Sequence, residues 1–377
     1  MGFGEDEMSC EKSVYEVDAS QVFGKATNVI QPTNLQELKQ AVKDNKKICI
    51  RGAGSGLAGG AVPQNEVVLD MMKLNKIENL DVQRKTVEVE AGVILDDLNY
   101  YLEKEGFELP VNPSSHAVCT VGGMASTNAV GSRAGKYGKT IDWINWIDVV
   151  TANGKIERKN KFELTDYCGM EGITGVIYKI CFRVETKKIL RTANLISFDQ
   201  INDVANYARE LKRNIDISMI EFLDKQISEF VGLPFKYHLI IEYESDEGKI
   251  KDADYQRLID LRDSIYPILA EKEYARIEDP KILLDRFEKL FTYIESYNIP
   301  TFGHLSVGIL HPCFSKEQEK LIPEIMNLTK RLSGHITGEH GIGLIKKEFV
   351  DVNDGKLLTI IKKRIDPTSK FNSGKVI

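Results

Sequence analysis

The 377-residue sequence lacks long apolar runs, and no stretch approaches the roughly 18 residues that a membrane-spanning helix needs. It also lacks blocks of like charge, since 50 lysines and arginines are mixed with 56 aspartates and glutamates for a net charge of −6. This balance argues against nucleic acid or an anionic membrane as the main partner. The opening residues MGFGEDEMSC have no signal-peptide pattern, and Asp6 stands where a myristoylation signal requires Ser or Thr. We therefore expect a cytoplasmic protein without a transmembrane segment, which would reach a membrane only peripherally and through a partner.

Cysteine is scarce as well. No two of the six cysteines have the CxxC spacing that is typical of iron–sulfur clusters and structural zinc sites. Scattered thiols of this kind suit a reducing compartment. The six positions are Cys10, Cys49, Cys119, Cys168, Cys181 and Cys313.

The chain is long enough for two domains, and the pattern of its predicted strands and helices changes near residue 190. Short strands and helices surround two glycine-rich loops before this point. Strands then alternate with longer charged helices, which indicates an α+β sheet domain with helices on one face. A capping box at Thr33–Gln36 predicts the first helix, to about Lys46. Periodicity predicts strands at 47–51, 66–70, 86–90, 146–152, 173–185, 217–222, 237–243 and 301–310, and helices at 94–105, 199–213, 252–272, 281–298, 316–333 and 354–364.

The first glycine-rich loop, RGAGSGLAGG at 51–60, contains a GxGxxG pattern at Gly54, Gly56 and Gly59. A Rossmann nucleotide site would need a helix to start in this loop, but Pro63 and a new strand follow instead. Several small residues between two strands can still present a row of backbone N–H groups to a diphosphate. The alternative is a flexible surface loop.

Three further motifs occur in order along the chain: PVNPSSHAVCTVGGMASTNAVGSRAGKYG at 110–138, GMEGITGVI at 169–177 and DPTSKFNSGKVI at 366–377. Together with the first loop they resemble the vanillyl-alcohol oxidase superfamily of flavoproteins. The branch that they resemble holds the glycolate oxidase flavin subunit, flavin-linked D-lactate dehydrogenases and D-2-hydroxyglutarate dehydrogenase.

This resemblance implies an α+β fold in three parts. A PCMH-type FAD-binding domain of two subdomains would span residues 1–188, and a cap domain with a ferredoxin-like α+β sheet would span 189–345. A C-terminal segment, 346–377, would return to the FAD-binding domain. Some relatives attach the flavin through a histidine in the first loop, where this chain has Ser55, so the resemblance implies non-covalent FAD.

The resemblance also implies which residues contact FAD. The diphosphate would lie in a cradle formed by Arg51, Gly52, Ala53, Gly54, Ser55, Gly56 and Leu57. A second wall would be formed by Pro113, Gly122, Gly123, Asn128 and Gly131. The adenosine and ribityl parts would lie near Glu171, Gly175 and Val176, while Asn372 would return toward the flavin.

Histidine is rare but clustered, with four of the six histidines between residues 304 and 340. His304 and His311 are seven residues apart, so they would face opposite sides of a regular strand and lie roughly 10 Å apart on a helix. A shared metal would therefore need an irregular backbone around Ser306–Gly308. Glu339 and His340 are adjacent in a glycine-flanked loop that can direct both side chains into one site. The alternative for each histidine is a hydrogen-bonded structural role.

Two signatures carry the resemblance further. GHLSVGILH and GEHG are similar to the GHxGDGNxH and GEHG motifs of the D-lactate and D-2-hydroxyglutarate branch. They imply His304, His311 and Glu339 as ligands of a divalent Zn, Mn or Fe ion, His340 as the base, and a structural His335. This chain departs from the pattern with SVGI at 306–309, where relatives have GDGN. Arg276, Lys281 and Arg286 are candidates for binding the substrate carboxylate, with solvated helix charges as the alternative.

The resemblance thus implies an FAD-linked dehydrogenase or oxidase. It would oxidise a small D-2-hydroxy acid, either D-lactate, glycolate or D-2-hydroxyglutarate, to the 2-oxo acid by hydride transfer to flavin N5 with a metal-assisted histidine base. A separate acceptor, an iron–sulfur protein, cytochrome, quinone or flavoprotein, would take the electrons. The alternatives are a non-catalytic FAD-binding subunit of a glycolate-oxidase-like complex and a flavin-free metal hydrolase.

Overall fold

The computed structural model describes residues 12–377, so the predictions that concern Asp6 and Cys10 lie outside the described residues. Within this range no helix combines the length and apolar composition that a membrane span requires. The five cysteines of the described range are all free and buried.

The first domain begins with a parallel sheet of order β1-β3-β2. Its elements are β1 (Lys25–Ile30), α1 (Leu35–Asp44), β2 (Ile48–Arg51) and β3 (Gln64–Asp70). Because β2 and β3 are parallel neighbours, the glycine-rich loop is the connection between them.

The N-terminus of α1 corrects the predicted capping box by one residue. The Asn34 side chain accepts the Glu37 N–H at 3.0 Å, while the Thr33 N–H and hydroxyl donate to the Glu37 carboxylate. The N-cap is therefore Asn34 rather than Thr33, and Glu37 accepts the N–H of Thr33, the residue before the cap, instead of closing a reciprocal box.

An antiparallel sheet of order β4-β5-β9-β7-β8 completes this domain. The predicted alternation in TVEVE holds, since Val87 and Val89 are fully buried against α2 and α3. Strand β8 gives no such signal because its IERKN sequence is largely exposed. The elements are β4 (Ile77–Asp81), β5 (Thr86–Glu90), α2 (Leu95–Glu103), β6 (Phe107–Glu108), α3 (Val121–Thr127), α4 (Ala134–Tyr137), β7 (Ile144–Val150), β8 (Ile156–Asn160), β9 (Val176–Arg183) and β10 (Glu185–Thr186).

The second domain is built on a six-stranded antiparallel sheet of order β11-β13-β12-β15-β16-β14. Its strands are β11 (Thr192–Phe198), β12 (Ile217–Leu223), β13 (Tyr237–Tyr243), β14 (Arg276–Ile277), β15 (Thr301–His304) and β16 (Ile309–Phe314). Its helices are α5 (Ile201–Leu211), α6 (Lys225–Phe230), α7 (Asp252–Asp263), α8 (Ile265–Glu271), α9 (Phe287–Glu295) and α10 (Ile322–Arg331).

Helices cover both faces of this sheet, which corrects the expectation of helices on one face. One face packs on α5, α9 and α10, and the other packs on α6, α7 and α8. Every residue of β12 and of β13 is buried, because two-sided burial leaves no solvent face on a central strand. The predicted helix 252–272 is two helices that meet at Ser264, and the predicted helix 281–298 begins only at Phe287. Before that point Lys281 is extended and pairs with His335 and Ile309.

The last helix, α11 (Val352–Ile365), leads into a tail that lies against β2 of the first domain. The Ile48 N–H donates to the Lys370 carbonyl, the Asn372 N–H donates to the Ile48 carbonyl, and the Asn372 Oδ1 accepts the Ile50 N–H. The C-terminal residues thereby reach the end of the strand from which the glycine-rich loop emerges.

Candidate active site

A cavity of about 440 Å³ lies between the two domains. The first domain contributes its glycine-rich loop at 52–61, the segment 113–129 and the pair Glu171–Gly172. The second contributes Tyr266 and the loop that carries Glu339 and His340, and the C-terminal tail contributes Asn372.

Glycine is required at several points of the cavity wall for different reasons. A Cβ at Gly52 would lie 2.4 Å from the Thr120 Oγ1, so the two loops can pack this closely only without a side chain there. Gly54 has a φ of +74°, which disfavours other residues. A Cβ at Gly56 would meet no protein atom within 4 Å, so this backbone faces open space. A backbone that faces the cavity without side chains fits a diphosphate group, whose oxygens need close access to N–H groups.

Most of the predicted cofactor contacts line this cavity. They are Gly52, Ala53, Gly54, Ser55, Gly56, Leu57, Pro113, Gly122, Gly123, Glu171 and Asn372. The five that do not are Arg51, Asn128, Gly131, Gly175 and Val176.

Those five residues instead support the loops from behind. Arg51 donates to the backbone carbonyls of Val14, Val17 and Ala61, which ties the N-terminal segment to the glycine-rich loop. Asn128 ends α3 in a left-handed conformation and its Oδ1 accepts the Ile141 N–H. A Cβ at Gly131 would meet the Asn112 carbonyl and one at Gly175 would meet Val149, while Val176 begins β9.

The histidine cluster forms because the predicted strand 301–310 is in fact a hairpin. In β15 and β16 His311 pairs with Phe302, and the chain reverses between His304 and Ile309. Val307 and Gly308 both donate N–H groups to the His304 carbonyl, and Gly308 has a φ of +76°. This is the irregular backbone that a shared site requires, and it brings the two imidazole centroids to 5.0 Å.

His304, His311 and Glu339 place one ligand atom each within 4.8 Å of one another. The Glu339 Oε1 lies 3.7 Å from the His304 Nε2 and 3.2 Å from the His311 Nε2. The His311 Nε2 is buried and Glu339 is its polar neighbour, in a contact that is not aligned as a hydrogen bond, while its Nδ1 faces the Glu278 carbonyl at 3.3 Å. Two buried imidazoles and a carboxylate that converge in this way fit a divalent ion such as Zn²⁺, Mn²⁺ or Fe²⁺.

His304 is oriented by a buried chain of charges. Its Nδ1 lies 2.7 Å from the Glu221 Oε2, and the Arg262 Nε donates to the Glu221 Oε1 at 3.3 Å. A carboxylate on the remote nitrogen is the usual support for a metal-binding histidine. Burial opposes the charged imidazole, but Glu221 and Glu339 outweigh it and raise the pKa of His304 to about 9. An arriving metal ion would therefore displace a proton from this residue.

His340 lies between the cluster and the cavity. Its Nε2 is 3.7 Å from the Glu339 Oε1, and its Nδ1 is 3.6 Å from the Asp279 Oδ1. Burial lowers the pKa of His340 to about 4, against the attraction of Asp279, so the imidazole is neutral at pH 7. His335, by contrast, is exposed and only its backbone pairs with Lys281.

Glu171 connects the cavity wall to the loop of His340. Its carboxylate accepts the Ile342 N–H at 2.7 Å and the Gly343 N–H at 2.8 Å. Its own carbonyl accepts from the Asn372 side chain at 2.7 Å. Burial raises the pKa of Glu171 to about 7, although these N–H groups oppose the rise.

Comparisons with known proteins agree with this geometry. Residues 26–160 match the family described as "FAD binding domain", and residues 244–376 match the family described as "FAD linked oxidases, C-terminal domain". The chain belongs to the FAD-linked oxidases of the vanillyl-alcohol oxidase superfamily. The resemblance in the motifs is thereby confirmed, and the protein is an FAD-linked oxidoreductase with an α+β fold.

Three similar proteins align with nearly the whole chain. A D-lactate dehydrogenase of Archaeoglobus fulgidus is 29% identical over 93% of this chain and 91% of its own length. The glycolate oxidase subunit GlcD of Bacillus subtilis is 27% identical over 98% of this chain and 93% of its own. The mitochondrial D-2-hydroxyglutarate dehydrogenase of Arabidopsis thaliana is 26% identical over 94% of this chain and 75% of its own.

In this FAD-linked oxidoreductase the SVGI segment contacts the first domain. Val307 and Ile309 pack against Val130 and Ala134, so apolar side chains occupy the positions of the acid and the amide in the GHxGDGNxH motif. The buried Ser306 Oγ has no hydrogen-bond partner.

None of the three cations considered for the substrate carboxylate lines the cavity. Arg276 pairs with Glu278, and Arg286 donates to the Leu332 carbonyl and to Ser333. Sequence reasoning missed a different set of residues around the site: the buried Glu221, Arg262, Asp279 and Lys346, and the partly buried Tyr266. Glu221 did leave a signal, because it is the one charge within the apolar strand ISMIEFL.

Proposed function

We propose that this FAD-linked oxidoreductase converts a small D-2-hydroxy acid to the 2-oxo acid, with D-lactate or glycolate first and D-2-hydroxyglutarate next. The names of its relatives support this substrate class. The observation that carries the proposal is the position of His340. It lines the cavity, and its Nε2 lies 3.7 Å from the carboxylate of Glu339, the third member of the candidate metal-binding set. A hydroxyl group there would contact a base and a metal site together.

The proposed roles follow from the side chains. His304, His311 and Glu339 would hold the divalent ion, while the glycine-rich loop and segment 113–129 would hold FAD non-covalently, since Ser55 offers no nucleophilic ring nitrogen. Bound FAD would supply the hydride acceptor and the bound ion a Lewis acid for the substrate oxygens. The neutral imidazole of His340 would accept the hydroxyl proton.

Electrons would leave to a separate acceptor of one of the four classes named above. The five cysteines of residues 12–377 are free and too scattered to hold a cluster there. The alternative of a non-catalytic FAD-binding subunit would not require His304, His311 and Glu339 to converge beside a histidine that lines the cavity, so their arrangement favours the catalytic proposal.

Anaerobic titration of the flavin-loaded protein tests the proposal. D-lactate, L-lactate, glycolate and D-2-hydroxyglutarate are added separately, and the flavin absorbance is followed. One D-acid or glycolate is expected to bleach the flavin, while L-lactate is not. Oxidised flavin that persists with every acid, in metal-replete protein, would contradict the proposed substrate class.

The base assignment has its own test. His340→Ala is expected to slow flavin reduction by about 10²–10⁴-fold, the usual contribution of a general base. Its FAD and metal contents should equal those of the wild type. His335→Ala is the matched control because His335 is exposed and outside the site, and it should reduce at the wild-type rate.

A further inference from the structure

The wall of the cavity carries no lysine or arginine side chain within the described residues 12–377. From the second domain, the described residues that line it are Tyr266, Glu339 and His340. A substrate anion in this cavity would therefore have to be held by the metal and by neutral donors. Glu339 and His340 already have proposed roles as ligand and base, which leaves Tyr266 to be explained.

Arg262 and Lys346, two buried cations beside the site, are already paired. The Arg262 Nη2 lies 3.3 Å from the Glu221 Oε1. The Lys346 Nζ lies 3.0 Å from the Glu278 Oε2 and also contacts the Asp279 carboxylate. Removal of one partner from a buried ion pair is strongly destabilising, so neither cation is free to turn toward a substrate.

Tyr266 lies in the first turn of α8, where packing fixes its ring. The flanking Ile265 and Leu269 are buried in the core on this face of the sheet. The Tyr266 ring meets Phe302 edge to face, with 5.4 Å between centroids, and Phe302 in turn lies 4.7 Å from the His311 imidazole. The phenol is thereby held one aromatic ring away from the histidine cluster.

The Tyr266 hydroxyl has no hydrogen-bond partner among residues 12–377, yet it is not one of the enclosed polar atoms. Because Tyr266 lines the cavity, the cavity is the open space that this hydroxyl contacts. Burial raises the pKa of Tyr266 well above its ordinary value, and the charge of Glu339 adds to the rise, so the phenol keeps its proton. A fixed O–H donor in a cavity wall requires an acceptor from water or from a ligand.

We propose that the Tyr266 hydroxyl donates to the carboxylate of the bound hydroxy acid and so orients it beside His304, His311 and Glu339. A carboxylate has about four acceptor sites, so metal binding leaves lone pairs that still need donors. A hydrogen bond from an O–H group to an ionised acceptor is short and strong, and it can replace the cation that the wall lacks. This inference rests on the proposed function, because it takes the hydroxy acid as the ligand of that site.

The test is calorimetric binding of 2-hydroxy-2-methylpropanoate to the protein loaded with FAD and Zn²⁺. This probe has the hydroxyl and the carboxylate of the substrate but no α-hydrogen, so it cannot reduce the flavin. Tyr266→Phe keeps the ring on Phe302 and removes only the hydroxyl. We expect its Kd for the probe to rise by about 10–100-fold, the usual contribution of a hydrogen bond to a charged group, with FAD and Zn²⁺ contents unchanged.

Tyr274→Phe is the matched control. Tyr274 is likewise partly buried, it packs on Phe230 in the same core, and it does not line the cavity. Its loss of a hydroxyl should leave the Kd for the probe at the wild-type value. Equal affinities in Tyr266→Phe and Tyr274→Phe would overturn the proposal, as would a wild-type protein that does not bind the probe.

The flavin titration described above keeps this inference distinct from the proposed function. Bleaching by D-lactate or glycolate, together with an unchanged Kd in Tyr266→Phe, would refute the role of Tyr266 alone. Oxidised flavin that persists with every acid, together with weaker probe binding in Tyr266→Phe, would refute the oxidation and leave Tyr266 as a carboxylate-binding residue.

Discussion

The cavity and the histidine cluster share one loop but are made of different parts of the chain. The cavity wall comes mainly from two continuous segments of the first domain, 52–61 and 113–129, whereas the cluster is made of largely buried side chains whose supporting residues are distant in the sequence. Glu221, for example, is 83 residues from the His304 that it orients. Binding of FAD and binding of a metal should therefore be separable, since each depends on its own set of residues.

Glu339→Gln should remove the bound metal and leave FAD bound, and it should have the largest effect of these variants. An amide is a weak ligand for a divalent ion, and it would leave His304 and His311 without their carboxylate. We expect loss of bound metal, measured by elemental analysis, and flavin reduction slowed at least about 100-fold, because Lewis-acid stabilisation contributes several kcal/mol. FAD absorbance should remain. Glu348→Gln, at an exposed glutamate nearby, is the control. Full metal content in Glu339→Gln would refute the ligand assignment.

Glu221→Gln should also weaken metal binding, but less strongly than Glu339→Gln. Without a carboxylate on its Nδ1, His304 would be a weaker and less oriented ligand, so metal affinity should fall about 10–100-fold. Metal titration with FAD bound measures this. Glu242→Gln is matched, because Glu242 is a fully buried carboxylate on the neighbouring strand that pairs with Arg133. Equal metal affinities in the two variants would show that Glu221 acts only through stability.

Gly56→Ala should weaken FAD binding without affecting metal binding. The new methyl group meets no protein atom within 4 Å, so it leaves stability nearly unchanged, but it would occupy space that a diphosphate needs. We expect FAD to bind about tenfold more weakly, equivalent to about 1.4 kcal/mol, with unchanged metal content. Gly355→Ala in α11 is the control, since its Cβ would lie 3.7 Å from Val350 in ordinary contact. Unchanged FAD affinity in Gly56→Ala would place the diphosphate elsewhere.

The smallest effect concerns Glu171, where the two regions meet. Burial raises its pKa from the ordinary 4.5 to about 7, so the folded chain binds more protons than the unfolded chain between these values. The associated stability is present below pH 4.5 and is lost as the pH rises through 7. Wild-type melting temperature should therefore fall relative to Glu171→Gln across this window in the FAD-free protein. Parallel curves would show that Glu171 does not titrate there.

The contrast between the cavity and the histidine cluster also explains how much of the site could be predicted from the sequence. Glycines that a close backbone approach requires stand together in the sequence, so the loop at 51–60 could be recognised as part of a cofactor site, and comparison confirms the flavoprotein family. The spacing of His304 and His311 indicated an irregular backbone, and the hairpin supplies it. The position of Asp279 could not be predicted, because its carboxylate accepts the Glu339 N–H only once the fold brings together residues 60 positions apart.

Burial of the sheet on both faces also limited what could be predicted from the sequence. Periodicity found β12 and β13 but not the helices on both sides of them, since a fully buried strand shows no alternation from which to assign a solvent face. Arg262 illustrates the consequence. Within α7 its sequence position is that of a solvated helix charge, yet it lies buried against Glu221, the carboxylate that faces His304 of the candidate metal site.

Removal and return of the metal tests the central claim, that cofactor and metal sites are separate and meet at His340. The protein is stripped with EDTA, its oxidised flavin spectrum is recorded, and anaerobic reduction by the best D-acid is timed before and after Zn²⁺ or Mn²⁺ is restored. We predict an unchanged oxidised spectrum throughout, reduction slowed at least about 100-fold without metal, and recovery when metal returns. Flavin reduction at the full rate in metal-free protein, or release of FAD together with the metal, would contradict it.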